Sequence, residues 1–163
     1  MTLNRRSFLT ASTIAVATAA VAASGAAAAV KRRYEINLSE AEWKKRLTPA
    51  QFRTLRQEAT DTPGQSPYLN EHRAGLFTCA GCALPVFSSK AKYDSGTGWP
   101  SFFQALPKAI HTETDTLLGF ERVEVECRRC GGHLGHVFDD GPAPTGKRYC
   151  MNGTALKFIA GRA

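Results

Sequence analysis

The pattern of apolar and polar positions changes character three times along the chain. Residues 11–29 are almost uniformly small and apolar, dominated by alanine and without charge. Further on, apolar residues recur at helical spacing, Trp43 with Leu47 and then Phe52 with Leu55. Each pair follows a helix-start signature, Ser39-x-x-Glu42 or Thr48-Pro49-Ala50-Gln51. In such a capping box a hydroxyl and an acid or amide three residues on satisfy each other's free backbone amides. Pro49 suits the first helical position, where its missing N–H would have had no partner. Residues 60–67 read as loop by composition. Beyond them the period becomes two, over 75–79, 84–87, 118–125, 137–138 and 148–159. Alternate residues of a strand face opposite sides, so these segments predict strands with one buried face. The pattern predicts a mainly β, α+β chain with short helices in front and an antiparallel sheet behind. At 163 residues it is one domain with a substantial core.

The start of the chain changes the charge balance. Asn4-Arg5-Arg6-Ser7-Phe8-Leu9-Thr10 precedes the alanine run, which ends on Ala27-Ala28-Ala29. That order resembles a twin-arginine export signal with an Ala-x-Ala cleavage site. The competing reading is a retained anchor, since roughly 18 helical residues rise about 27 Å. Alanine contributes little to insertion, and no cysteine lies nearby to carry a lipid. The expected organisation is a signal over 1–29, a basic linker over 30–37 and one domain over 38–163. The domain would be exported to the periplasm and tethered only if the leader stays. Losing Arg5 and Arg6 lowers the formal charge from +7 to +5. The remaining excess is scattered, with no basic run interleaved with aromatics, so no nucleic-acid partner is expected.

Four of the five cysteines come in pairs, Cys79-Ala80-Gly81-Cys82 and Cys127-Arg128-Arg129-Cys130. Two such turns suit a tetrahedral site of four thiolates, one structural Zn2+ with no open position for catalysis. Disulfides are the alternative in an oxidising compartment. A bridge inside C-x-x-C is, however, the geometry of a catalytic dithiol rather than of a staple. Cys150 is left over. At period two Arg148, Cys150 and Asn152 share a face, which puts a thiol beside a fixed cation and an amide. A cation favours the thiolate, the nucleophilic form, so this environment is expected to lower the thiol's pKa. The bland reading is a small buried hydrophobe. His133 and His136, just after the second cysteine pair, are candidate proton donors, with metal ligation or packing as their alternatives. The turn-like Asp94-Ser95-Gly96-Thr97-Gly98-Trp99-Pro100-Ser101-Phe102 carries two aromatic residues that a mere connection would not need.

Taken together, C-A-G-C, S-G-T-G-W-P-S-F, C-x-x-C-G-G-H-L-G-H-V-F-D-D-G-P, T-G-x-R-Y-C-x-N and A-L-K-F resemble the methionine-R-sulfoxide reductases of the B type. The resemblance runs from about Leu47 to Phe158. It implies two antiparallel sheets in a β-tent, Mss4-like zinc-knuckle fold with short N-terminal helices. It implies Cys150 as the nucleophile on the sulfur of methionine-R-sulfoxide, His133 as donor to the departing oxygen, and His136 and Asn152 as orienting groups. Arg148 would support the thiolate, and Trp99 and Phe102 would contact the substrate. The expected partners are oxidised proteins or peptides and a thioredoxin-like or small-thiol reductant, acting on a monomer. Many relatives carry a resolving cysteine where this chain has Thr97. A one-cysteine cycle is therefore expected, in which an external thiol reduces a Cys150 sulfenic acid. Two other functions compete: a non-catalytic zinc-knuckle binding module, which leaves the Arg148 to Asn152 cluster unexplained, and a thiol-disulfide oxidoreductase using the C-x-x-C pairs.

Overall fold

The structure, a computed structural model, describes residues 32–161; the leader expected over 1–29 lies outside the described residues. Both predicted helices are present, α1 (Glu40–Arg46) and α2 (Pro49–Gln57). Each begins with a complete capping box, on Ser39 with Glu42 and on Thr48 with Gln51. Among the described residues no helix is long and apolar enough to cross a membrane.

Among the described residues nine strands follow in two antiparallel sheets. The smaller holds β1 (Gly75–Cys79), β2 (Pro85–Ser88) and β9 (Leu156–Ala160), in the order β2-β1-β9. The larger holds β3 (Lys92–Tyr93), β4 (Ser101–Phe102), β5 (Ile110–Asp115), β6 (Arg122–Cys127), β7 (His133–Phe138) and β8 (Arg148–Met151). Its order is β3-β4-β8-β7-β6-β5. The core lies between the sheets, where Phe77 of β1 and Phe87 of β2 meet Phe102 of β4 at ring centroid distances of 5.0 and 4.4 Å. All three rings are fully buried. Burying a phenylalanine is worth about 1.5–3 kcal/mol each, so this cluster is a main source of cohesion between the sheets.

Three expectations are corrected. The single alternating run predicted over 148–159 is two strands in different sheets, separated by a turn of 3-10 helix at Gly153–Ala155. The strand predicted over 118–125 begins only at Arg122; Leu117, Leu118 and Phe120 form the exposed tip of the β5–β6 hairpin. The stretch expected as a linker is, from Arg32 on, laid against the second cysteine turn. There Ile36 N donates to Arg129 O at 3.0 Å and Glu35 pairs with Arg128 at 2.5 Å.

The two cysteine turns are built alike. Cys79 N donates to Leu84 O and Ala83 N to Cys79 O; Cys127 N donates to Gly132 O and Gly131 N to Cys127 O. The residue after the second cysteine is left-handed in both, Ala83 at φ 59° and Gly131 at φ 61°. Glycine is required at the second because an added Cβ would stand 2.3 Å from the Tyr34 ring, besides being strained at that φ. Gly131→Ala is accordingly expected to cost about 2 kcal/mol, the sum of a left-handed alanine and a displaced ring. Thermal unfolding of the metal-loaded protein checks this; an unchanged midpoint would contradict it.

Candidate functional site

Register in the larger sheet assembles the site. Across β3, β4, β8, β7, β6 and β5 the residues Tyr93, Ser101, Cys150, His136, Glu124 and Glu113 are successive Cα partners. Directly paired residues of antiparallel strands point to the same face, so a tyrosine, a serine, the thiol, a histidine and two acids share one row. Gly135 permits the close approach of β7 to β8, since a Cβ there would lie 2.2 Å from Cys150 O. Above the row opens a cleft of 210 Å³ whose walls include Thr97, Trp99, His136, Arg148, Cys150 and Asn152.

Cys150 is half-buried, and burial pushes its thiol above the ordinary value. Thr97 and Arg148 act in the opposite direction and do not prevail. The lowered pKa expected from Arg148 alone is thus corrected, because removing a thiolate from water outweighs one neighbouring charge. Moreover, that charge is already shared. The Arg148 guanidinium donates two hydrogen bonds to Asp140, at 2.8 and 2.7 Å, and lies 4.3 Å over the Phe138 ring.

The two histidines occupy different places. His136 lines the cleft opposite Cys150, with Nε2 2.8 Å from Asp115 Oδ2. Asp115 is held down to about 2 by a hydrogen bond from Leu117 N, by His136 and by Arg122. With Asp115 ionised, the hydrogen sits on Nε2 and Nδ1 is the position that exchanges a proton. Burial lowers the pKa of His136, against the pull of Asp115. His133 is 3% exposed and sits behind it, the ring centroids 5.3 Å apart. Its Nδ1 is 2.6 Å from Glu124 Oε1, and its Nε2 is enclosed without a partner among the described residues. The histidine that lines the cleft is therefore His136, and His133, expected as the proton donor, is buried behind it.

Asn152 lines the cleft but its amide is occupied. Oδ1 accepts from Asp61 N at 2.8 Å and Nδ2 donates to Leu134 O at 3.4 Å. Trp99 also bonds Asp61, donating from Nε1 to its carbonyl at 2.9 Å. Thr154 N donates to the Asp61 carboxylate at 2.8 Å. The main chain of Asp61 thus fixes Trp99 and Asn152 as cleft walls, while its carboxylate ties the loop to Thr154. Phe102 is a correction: at 0% exposure and stacked on Phe87 it belongs to the core and cannot touch a substrate. Asp61, Asp115, Arg122 and Glu124 were missed in the sequence, which carries no local signal for contacts across up to 93 positions.

Away from the cleft, Cys79, Cys82, Cys127 and Cys130 place their sulfurs within 4.8 Å of one another, with Cys79–Cys130 at 3.7 Å and Cys82–Cys127 at 3.4 Å. Four sulfurs about 2.3 Å from a tetrahedral ion lie about 3.8 Å apart, so the cluster can hold a metal. Cys79 ends a strand of the smaller sheet and Cys127 one of the larger, so an ion here would tie the sheets together.

The SelR domain matches residues 47–160. A Leptospira interrogans protein named peptide methionine sulfoxide reductase MsrB is 48% identical over 126 residues, 77% of this chain and 96% of that protein. A protein of the same name from Bradyrhizobium diazoefficiens is 52% identical over 120 residues, 73% of this chain and 86% of its own. The human mitochondrial methionine-R-sulfoxide reductase B2 is 48% identical over 132 residues, covering 76% and 72%.

Proposed function

This chain belongs to the SelR-domain family of MsrB peptide methionine sulfoxide reductases, and from that premise we propose that it reduces methionine-R-sulfoxide, free or in proteins, through Cys150. The observation that carries the reading is the pairing of Cys150 with His136 across adjacent strands at one open cleft. A sulfoxide is a poor electrophile until its oxygen is protonated, so a soft nucleophile and an acid must flank the S=O bond. The Cys150 thiolate attacks the sulfoxide sulfur while His136 protonates the oxygen. In the resulting S–S adduct the hydroxyl passes from the substrate sulfur to Cys150 as the methionine S–O bond breaks; the S–S bond breaks with its electron pair returning to the departing methionine, and Cys150 is left as a sulfenic acid. Two external thiol equivalents then release it as water and become a disulfide. Trp99 forms the apolar wall for the S-methyl group, Arg148 offsets part of the thiolate's desolvation, and His133 with Glu124 supports His136 from behind.

The four-cysteine cluster is assigned a structural zinc ion, which would supply cohesion and no step of the reaction. The partners proposed are oxidised proteins or peptides and a thioredoxin-like or small-thiol reductant, acting on a monomer outside the cytoplasm.

The purified, zinc-loaded protein, given both sulfur epimers with dithiothreitol, should consume the R epimer alone. Equal consumption of both, or none from folded protein, would defeat the assignment. The pH profile has its own signature. Catalysis needs the thiolate of a raised thiol and the imidazolium of a lowered histidine. Between those two values each pH unit multiplies the thiolate fraction about tenfold and divides the imidazolium fraction by about the same factor. We therefore expect kcat/KM to stay flat across that interval and to fall only outside it. Alkylation of Cys150, which needs the thiolate alone, should climb through the same interval. A kcat/KM that climbs with it would remove His136 as the acid.

A further inference from the structure

Three hydroxyls lie in series beside Cys150. Ser101 Oγ is 2.7 Å from Ser95 Oγ, Ser95 Oγ is 2.8 Å from Thr97 Oγ1, and Thr97 Oγ1 is 3.9 Å from Cys150 Sγ. At the far end Ser101 Oγ donates to Trp99 O at 3.2 Å. Ser101 is fully buried and is the strand partner of Cys150.

A hydroxyl has one proton to donate, which fixes the order of the series. With the Ser101 proton given to Trp99 O, Ser95 donates to Ser101 and Thr97 donates to Ser95. Thr97 then offers Cys150 only a lone pair, so it accepts from the S–H. This order suits the thiol and opposes the thiolate. A thiolate needs the reverse: Thr97 donates to sulfur, Ser95 to Thr97, and Ser101 to Ser95, releasing Trp99 O. Each oxygen keeps its own proton, and three rotations about C–O bonds convert one order into the other. The thiol proton leaves to solvent through the open cleft.

We propose that Ser101, Ser95 and Thr97 form a reversible hydroxyl chain that follows the ionisation of Cys150, with Ser95 a positioning residue acting on the nucleophile through Thr97 and Ser101. Hydrogen bonds to a charged acceptor are about twice as strong as neutral ones, and a chain polarises each member, so the reversed order favours the thiolate. The other groups facing the sulfur are Arg148 of its own strand with Asp140, His136 of β7 with Asp115, and Tyr93 of β3, whose hydroxyl is enclosed without a partner. Among the described residues none of them bonds Ser95, whereas Ser101, the strand partner of Cys150, bonds Ser95 and also bears directly on the sulfur, so loss of the Ser95 hydroxyl reaches the sulfur through its two hydroxyl neighbours, Thr97 and Ser101.

The inference rests on Cys150 as the nucleophile of the proposed reaction, but its test needs no substrate. The zinc-loaded full chain is alkylated with iodoacetamide across pH, and the Cys150 peptide is followed by mass spectrometry in wild type, Ser95→Ala, Ser95→Thr and Thr97→Val. Ser95→Ala should react about threefold more slowly at neutral pH and reach the wild-type limiting rate at high pH, an upward displacement of about half a pH unit. Thr97→Val should be displaced at least as far, while Ser95→Thr, which keeps the hydroxyl, restores the wild-type midpoint. A wild-type midpoint in Ser95→Ala, or a Ser95→Thr midpoint displaced as far as that of Ser95→Ala, overturns the proposal. Failure of the enzymatic reading would appear instead as sulfoxide reduction that survives loss of Cys150, with these midpoints unaffected.

Discussion

Cys150→Ser is expected to lower reduction of methionine-R-sulfoxide by about a thousandfold or more while leaving the fold intact. The oxygen of serine is far less polarisable and essentially un-ionised at neutral pH, so the attack on sulfur loses its nucleophile outright. Serine is also the residue that changes the site least. Cys150 is half-buried on a strand whose hydrogen bonds are made by the backbone, and the substituted atom borders an open cleft. Thermal stability within a few degrees of wild type, together with lost turnover, separates a chemical role from a structural one. Turnover within tenfold of wild type would exclude Cys150 as the nucleophile, and the C-x-x-C pairs would have to be reconsidered as redox centres.

Removal of the metal is expected to have the opposite profile, a loss of fold that takes activity with it. Structural zinc sites bind with roughly 10–16 kcal/mol, comparable to or larger than the roughly 5–15 kcal/mol stability of a whole domain. Four thiols within 4.8 Å of one another repel once ionised, and a bound ion would let them stay charged side by side. Because the cluster joins the end of β1 to the end of β6, its loss frees the smaller sheet from the larger. Chelation under reducing conditions, or Cys79→Ser, should therefore unfold the domain at 37 °C, with the zinc content of the native protein near one ion per chain. Circular dichroism and elemental analysis read both. An unchanged melting temperature after complete chelation would show that the cysteine turns stand without the ion.

Much of the frame was legible in the sequence because its signals are local. Both capping boxes, the paired cysteine turns and the Arg148-x-Cys150 spacing are set within a few residues, where the physics of a turn or strand acts directly. The sheet assignment of residues 148–159 was not legible, since the 3-10 turn at Gly153–Ala155 breaks an alternation that looks continuous. Nor was β5, an edge strand whose sequence IHTETD carries polar residues on both faces, as an edge permits. Phe102 misled because a turn-like neighbourhood suggested an exposed aromatic; its burial comes from β1 and β2, which lie across the core. The exchange between His133 and His136 has a similar origin. A register shift between Val125 and Glu126, together with Gly135, decides which ring meets the cleft. Asp61, Asp115 and Glu124 acquire their meaning only from partners on other elements.

The most direct test is a single turnover without reductant. Zinc-loaded protein is mixed with excess methionine-R-sulfoxide in the presence of a sulfenic-acid trap, and the methionine formed and the mass of the Cys150 peptide are both measured. One methionine per chain with a trapped sulfenic acid on Cys150 is the expected result, because Thr97 leaves the cleft without a second thiol. A disulfide between Cys150 and one of the four clustered cysteines, or methionine formed with Cys150 unmodified, would contradict the one-cysteine cycle.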